Sequence, residues 1–109
     1  MAPYEIREYL AEDGTSPFSR WFEDLDPQAA AIVTVAIGRL ADGNTSNVKP
    51  VGEGVAELRI DRGPGYRIYF GLHGQMLVVL LCGGTKRRQQ KDIGTTLIRW
   101  RDYKRRARA

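Results

Sequence analysis

Histidine and cysteine each occur once in this chain, as His73 and Cys82. A lone cysteine has no partner for an intrachain disulfide, and Cys82 follows the apolar run Leu77-Val78-Val79-Leu80-Leu81, where a buried small hydrophobe is expected. One histidine, one cysteine and no clustered Asp/Glu motif resemble neither a zinc site nor a two-metal site, so no metal ligands and no cofactor are expected. A paired-histidine nuclease mechanism is excluded with them. Long hydrophobic runs are missing too: the apolar stretches fall far short of the roughly 20 residues that cross a bilayer. The start Met1-Ala2-Pro3-Tyr4-Glu5 lacks the basic and apolar regions of a signal peptide, and the expected location is cytoplasmic, with no membrane partner. Gly63-Pro64-Gly65 and Gly83-Gly84 are not followed by the Lys-Ser/Thr of a phosphate-binding loop, which leaves nucleoside triphosphate binding without support.

What is present is a chain of 109 residues, 42% hydrophobic and 28% charged, enough for a single domain spanning 1–109 with one modest core. So small a core encloses no deep cavity; a surface groove lined by charge, suited to a macromolecular partner, is expected instead. Lysine and arginine total 17 against 13 acidic residues, a net charge of +4. The distribution says more than the total. From Lys86 onward there are ten basic residues and two acids, Asp92 and Asp102, a net of +8, whereas the first 85 residues carry seven basic and eleven acidic side chains. Such asymmetry builds a positive field on one side of the molecule, for which phosphate backbones are the commonest ligand; a solvated basic tail or an acidic partner protein would also suit it.

Along the chain, Tyr4 to Leu10 alternates like a strand with one buried face. Ser16-Pro17 then supplies a helix N-cap and a proline at the first helical position, with Phe18, Trp21, Phe22 and Leu25 at helical spacing. These aromatics share one stripe and are read as core. Asp26-Pro27 repeats the start signal for a second helix through about Leu40, and 41–54, rich in Gly, Asn, Ser and Thr, reads as a connecting loop. Three strands are expected next, Val55 to Ile60, Tyr66 to Phe70 and Met76 to Cys82, with turns at 62–65 and 72–75. The unbroken apolar character of the last marks it as central and covered on both faces, ended by Gly83-Gly84-Thr85. Ile93, Leu97 and Trp100 mark a C-terminal helix with basic outer faces. The order is βααβββα, an α+β domain.

Within the first hairpin Ala56, Leu58 and Ile60 share a face that leaves Glu57, Arg59 and Asp61 on the other; Arg67 and Tyr69 follow across the turn. Arg59 and Arg67 are therefore expected on one solvent-facing side, with Lys86 to Arg88 closing the end of the groove. Clustered guanidinium and ammonium groups grip a phosphodiester and stabilise the charge that develops during its cleavage. For either arginine an ion pair with Glu57 or Asp61 is the alternative. His73 is expected in the second hairpin turn, away from that groove. A ribose 2′-OH can cleave its own phosphodiester if a general base, a proton donor and cationic stabilisation are supplied, and Asp92, Lys91, Lys86 and Tyr69 are the groups available. Asp92 could equally serve as an acid in the first turn of the final helix.

The strings Gly52-Glu53-Gly54-Val55-Ala56-Glu57-Leu58-Arg59-Ile60, Gly63-Pro64-Gly65-Tyr66-Arg67-Ile68-Tyr69-Phe70, Leu80-Leu81-Cys82-Gly83-Gly84-Thr85-Lys86 and Gln90-Lys91-Asp92-Ile93 resemble the toxin components of RelE/ParE-type toxin-antitoxin modules, and within them the HigB-like, phage-related addiction-module killer proteins. The likeness extends to Ser16-Pro17-Phe18 before Trp21 and to Trp100-Arg101-Asp102-Tyr103-Lys104. It implies a RelE-like fold, two N-terminal helices on a curved, mostly antiparallel sheet. It also implies growth inhibition checked by a cognate antitoxin, usually a helix-turn-helix DNA-binding protein through which alone operator DNA is reached. Members similar to HigB and RelE cleave mRNA on the ribosome without a metal. By motif, Arg59, Arg67, Lys86 and Asp92 fall on the catalytic positions, with Tyr69, Arg87, Arg88, Lys91, Arg99 and Lys104 expected to contact RNA. RelE carries a lysine where this chain has Glu57 and a late tyrosine near Asp92, so acid and base roles do not carry over. The ParE branch inhibits DNA gyrase without cutting anything, and a decayed toxin acting as a binding partner is a third reading.

Overall fold

Local signals start both N-terminal helices. The Ser16 hydroxyl accepts the Ser19 N–H at 3.0 Å and the Asp26 carboxylate accepts the Ala29 N–H at 2.9 Å, with Pro17 and Pro27 at the first helical positions. In the computed structural model, which describes residues 3–108, the elements run β1 (Glu5–Glu8), α1 (Pro17–Glu23), α2 (Pro27–Ala41), β2 (Val48–Gly52), β3 (Val55–Ile60), β4 (Tyr66–His73) and β5 (Leu77–Thr85). A 3₁₀ turn (Lys86–Arg88) then leads directly into α3 (Gln89–Ala107). Met1 and Ala2, part of the start read above, lie outside the described residues, as does Ala109.

The domain is α+β, but its order differs from βααβββα by one strand: β2 occupies part of the segment expected to be loop. Pro50 is tolerated there because β2 is an edge strand, paired antiparallel with β3 alone. The sheet order is β1-β5-β4-β3-β2, every pairing antiparallel except β1 with β5. β5 is interior and buried on both faces, although β4 is the middle strand. The glycines expected to end β5 lie inside it, and it continues to Thr85. His73, expected in a turn, closes β4 and pairs with Leu77.

Helices cover both faces. Against α1 and α2 the sheet buries Leu58, Ile60, Ile68, Phe70, Val78 and Leu80 with Phe18, Val33 and Leu40, while Trp21, Phe22 and Leu25 pack around this core as expected. On the opposite face α3 lays Trp100 over Val55, Val79 and Leu81 beside Tyr9. Each tryptophan needs a glycine beneath it, since a β-carbon at Gly83 would collide with the Trp21 ring and one at Gly71 with the Trp100 ring. Opposite Tyr69 and Phe70 the β5 partners are Cys82 and Leu80, so Leu81 is an extra, unpaired residue that twists β5.

The end of α3 is tied to the end of β1. The Tyr9 hydroxyl donates to Asp102 at 2.7 Å, and Arg106 donates to Asp102 and, at 2.5 Å, to the Leu10 carbonyl. The Tyr9 hydrogen bond, with those from Arg106 and Arg105, lowers the Asp102 carboxyl from 3.8 to about 2. A carboxyl whose folded pKa is depressed contributes stability in full above its unfolded value and loses it as pH falls through the folded one. The gap in urea midpoint between wild type and Asp102→Asn is therefore expected to be constant near neutrality and to close between pH 3.8 and about 2; a gap that survives at the acid end would show that the charge is not what holds α3 to β1.

Candidate active site

Strand alternation sets Glu57, Arg59, Arg67 and Tyr69 on the α3 side of the sheet. Register then makes two rows across the strands: Arg59 opposite Arg67 opposite Gly84, and Glu57 opposite Tyr69 opposite Cys82. The two arginines do share a face, but that face is not open to solvent. The first turns of α3 cover it, leaving Glu57 1%, Arg67 3% and Tyr69 0% exposed. Tyr69 therefore has no surface on which RNA could stack in this conformation, and Cys82 is a buried thiol as expected.

Buried ions need partners, and these have them in part. The Glu57 carboxylate accepts Arg59 Nε at 2.7 Å and the Gln89 side-chain amide at 2.8 and 2.9 Å, so strand and helix are pinned through one acid. Arg67 Nη1 donates to the Tyr66 carbonyl at 3.0 Å and to the exposed Asp61 carboxylate at 3.4 Å. Both ion pairs considered from the sequence thus exist. Lys86 joins them from above: its N–H donates to the Gly65 carbonyl at 2.7 Å, and a β-carbon on Gly65 would lie 3.2 Å from Lys86 Cβ and 3.7 Å from Arg67 Nη1.

Asp92 sits in the first turn of α3, directly over Gly84, where a β-carbon would strike its carboxylate. Its Oδ2 is buried with no hydrogen-bond partner among the described residues, as are Arg67 Nε, the Tyr69 hydroxyl and the Thr96 hydroxyl. Each such orphan costs about 1–3 kcal/mol, and all four lie on the α3 side of the sheet. Burial pushes the Asp92 carboxyl up, against the pull of Arg88, Arg99 and Lys91. Burial, then the charges of Glu57 and Asp92, push Tyr69 up, so its hydroxyl is neutral and a donor. Unspent hydrogen-bonding capacity concentrated at one place, with a carboxyl and a phenol both displaced, is a physical reason to place chemistry there.

Arg59, Arg67, Lys86 and Asp92 are thus gathered. Around them Arg87, Arg88 and Lys91 are exposed on the turn and the start of α3, while Arg99 is half-buried with Nη1 3.4 Å from the Leu81 carbonyl. Lys104 belongs elsewhere: it lies over the Trp100 ring at 5.9 Å, next to the opposite end of β4, where His73 Nδ1 meets the Tyr103 hydroxyl at 2.6 Å. Glu57 and Gln89 were not anticipated as site residues. For Glu57 a signal existed, an acid two residues before Arg59 on the same strand face; Gln89 has none. Among the described residues no group of three His, Cys, Asp or Glu side chains is placed to hold a metal ion.

The family model described as phage derived protein Gp49-like matches residues 20–99, most of the chain and all of this cluster. The chain belongs to the Gp49-like family. That family is toxin-like and related to RelE/ParE. A Gp49-like chain is also what one relative resembles: an uncharacterized protein of Haemophilus influenzae is 45% identical over 80 residues, 72% of this chain and 81% of that protein. No helix among the described residues of the Gp49-like chain is long and apolar enough to cross a membrane.

Proposed function

We propose that this Gp49-like chain is the HigB-like toxin of a toxin-antitoxin pair and a metal-independent, ribosome-dependent mRNA endoribonuclease, neutralised by a cognate antitoxin. The observation that carries the reading is the register that sets Arg59 against Arg67 with an unpartnered Asp92 carboxylate oxygen over Gly84. A phosphodiester entering at the exposed lip meets Lys86, Arg87 and Arg59 first. By displacing the exposed Asp61 carboxylate it gains Arg67 Nη1. Asp92, its pKa raised, takes the proton of the ribose 2′-OH as that oxygen attacks phosphorus. The P–O5′ bond breaks, leaving a 2′,3′-cyclic phosphate and a 5′-hydroxyl that receives a proton from the site. Arg67 and Lys86 stabilise the charge on the pentacoordinate state. The basic outer face of α3 docks on ribosomal RNA.

Primer extension on a defined mRNA in a purified translation system, with and without ribosomes, tests the proposal. Cuts within codons that require ribosomes are expected; intact mRNA with arrested growth would overturn it in favour of a ParE-like gyrase inhibitor. Deleting the chain after Ile98 cannot serve to separate the two, because it removes the buried Trp100. Reversing Arg101 and Arg105, both exposed, tests the helix face without touching the core.

The pH profile of cleavage offers a second check. Because burial raises the Asp92 pKa, the base form is present only above a value higher than the usual 3.8, and the acid limb is expected to lie correspondingly high. Asp92→Asn should lower the plateau by about 10²–10⁴-fold and flatten that limb; an unchanged limb would assign the titration to another group.

A further inference from the structure

A groove on the opposite side of the sheet from α3 lies between α2 and the end of β3. Its volume is about 490 Å³. Ile32, Val35, Leu58 and Ile60 make an aliphatic floor, and Val35 is 53% exposed on α2. Arg39 and Arg62 stand around it, while Arg59 borders it from the strand with its guanidinium held by Glu57 on the α3 side. Of these, Arg39 and Arg62 have no ion-pair partner among the described residues, and the one acid in the lining, Asp61, is engaged by Arg67. The groove thus pairs an apolar floor with unbalanced positive charge, and it has no aromatic ring on which a base could stack.

We propose that this groove docks a segment of a partner protein that is aliphatic on one face and acidic on the other, its apolar side chains seated between α2 and β3 and its carboxylates on Arg39 and Arg62. A helix or strand with that pattern satisfies both features at once. A nucleic acid would satisfy only the charge.

The probe is a labelled synthetic helix of about 16 residues with leucine along one face and glutamate on the others, read by fluorescence anisotropy against the full chain. Its counterpart carries lysine in place of glutamate. The acidic peptide is expected to bind and the basic one not to; Val35→Asn and Arg39→Glu should each weaken binding at least about tenfold. Arg101→Glu, the same charge change on the far face, should leave it within about twofold. Equal binding of the two peptides, or indifference to Val35→Asn and Arg39→Glu, would overturn the proposal. A labelled oligouridylate whose affinity falls with Val35→Asn would overturn it too, by assigning the groove to RNA. None of these readouts requires cleavage, so a failure here is separable from a failure of the nuclease reading.

Discussion

Arg67→Ala is expected to reduce mRNA cleavage by about 10²–10³-fold, the loss usually seen when one preorganised donor to a developing oxyanion is removed. The side chain is fixed before substrate arrives: its strand is interior, its guanidinium is 3% exposed, and Nη1 already holds the Tyr66 carbonyl. Little reorganisation is left to do during the reaction. Since the lost contacts are two hydrogen bonds at one end of β4, the variant should keep its circular dichroism spectrum and unfold cooperatively. Arg67→Lys separates charge from geometry, for an ammonium restores the charge but not the planar fork that engages two phosphate oxygens. Activity in the lysine variant between those of wild type and the alanine variant is the expected pattern. A folded Arg67→Ala protein that cuts at the wild-type rate would move the site elsewhere.

Trp100→Ala is expected to cost about 3–5 kcal/mol of folding free energy, against a total of about 5–15 for a domain of ordinary stability. The indole is 3% exposed, lies over Gly71, stacks on Tyr103 at 5.2 Å and donates Nε1–H to the Glu53 carbonyl at 3.0 Å. Among the described residues no other side chain joins α3 to the turn between β2 and β3 through a buried ring. Gly71, directly beneath the ring, has no side chain of its own to fill the cavity. Urea unfolding followed by Trp21 fluorescence measures the loss directly. A midpoint close to wild type would mean that α3 is held chiefly by Tyr9, Asp102 and Arg106 at its far end.

Much of this architecture could be read from residue spacing. Ser16-Pro17 and Asp26-Pro27 announce their helices because capping is local chemistry, complete within four residues. β2 escaped because an edge strand carrying Pro50 and flanked by Gly52 and Gly54 has the composition of a loop, and only pairing with β3 makes it a strand. The gathering of Arg59, Arg67 and Lys86 was legible, since alternation and a turn suffice to bring them near one another. Their burial was not. A polar strand face looks solvated until a helix is laid across it, and what lays α3 there is the Trp100 contact with Gly71 together with Gln89 on Glu57, each joining residues far apart in the chain. The perch of Asp92 over Gly84 belongs to the same class: it depends on how far α3 is advanced along the sheet, which spacing alone leaves free.

The parallel pairing of β1 with β5 bears on the order in which the sheet is completed. Glu5 aligns with Leu77 and Glu8 with Leu80, and Tyr9, just beyond the strand, waits for Asp102. On a translating ribosome the first strand emerges early and stays without a neighbour until β5 has been made. Arg59 and Arg67 lie on β3 and β4, yet the helix that covers them follows β5. Glu57, Arg67 and Tyr69 are thus enclosed well after the strands that carry them, once Gln89 and Trp100 have been made.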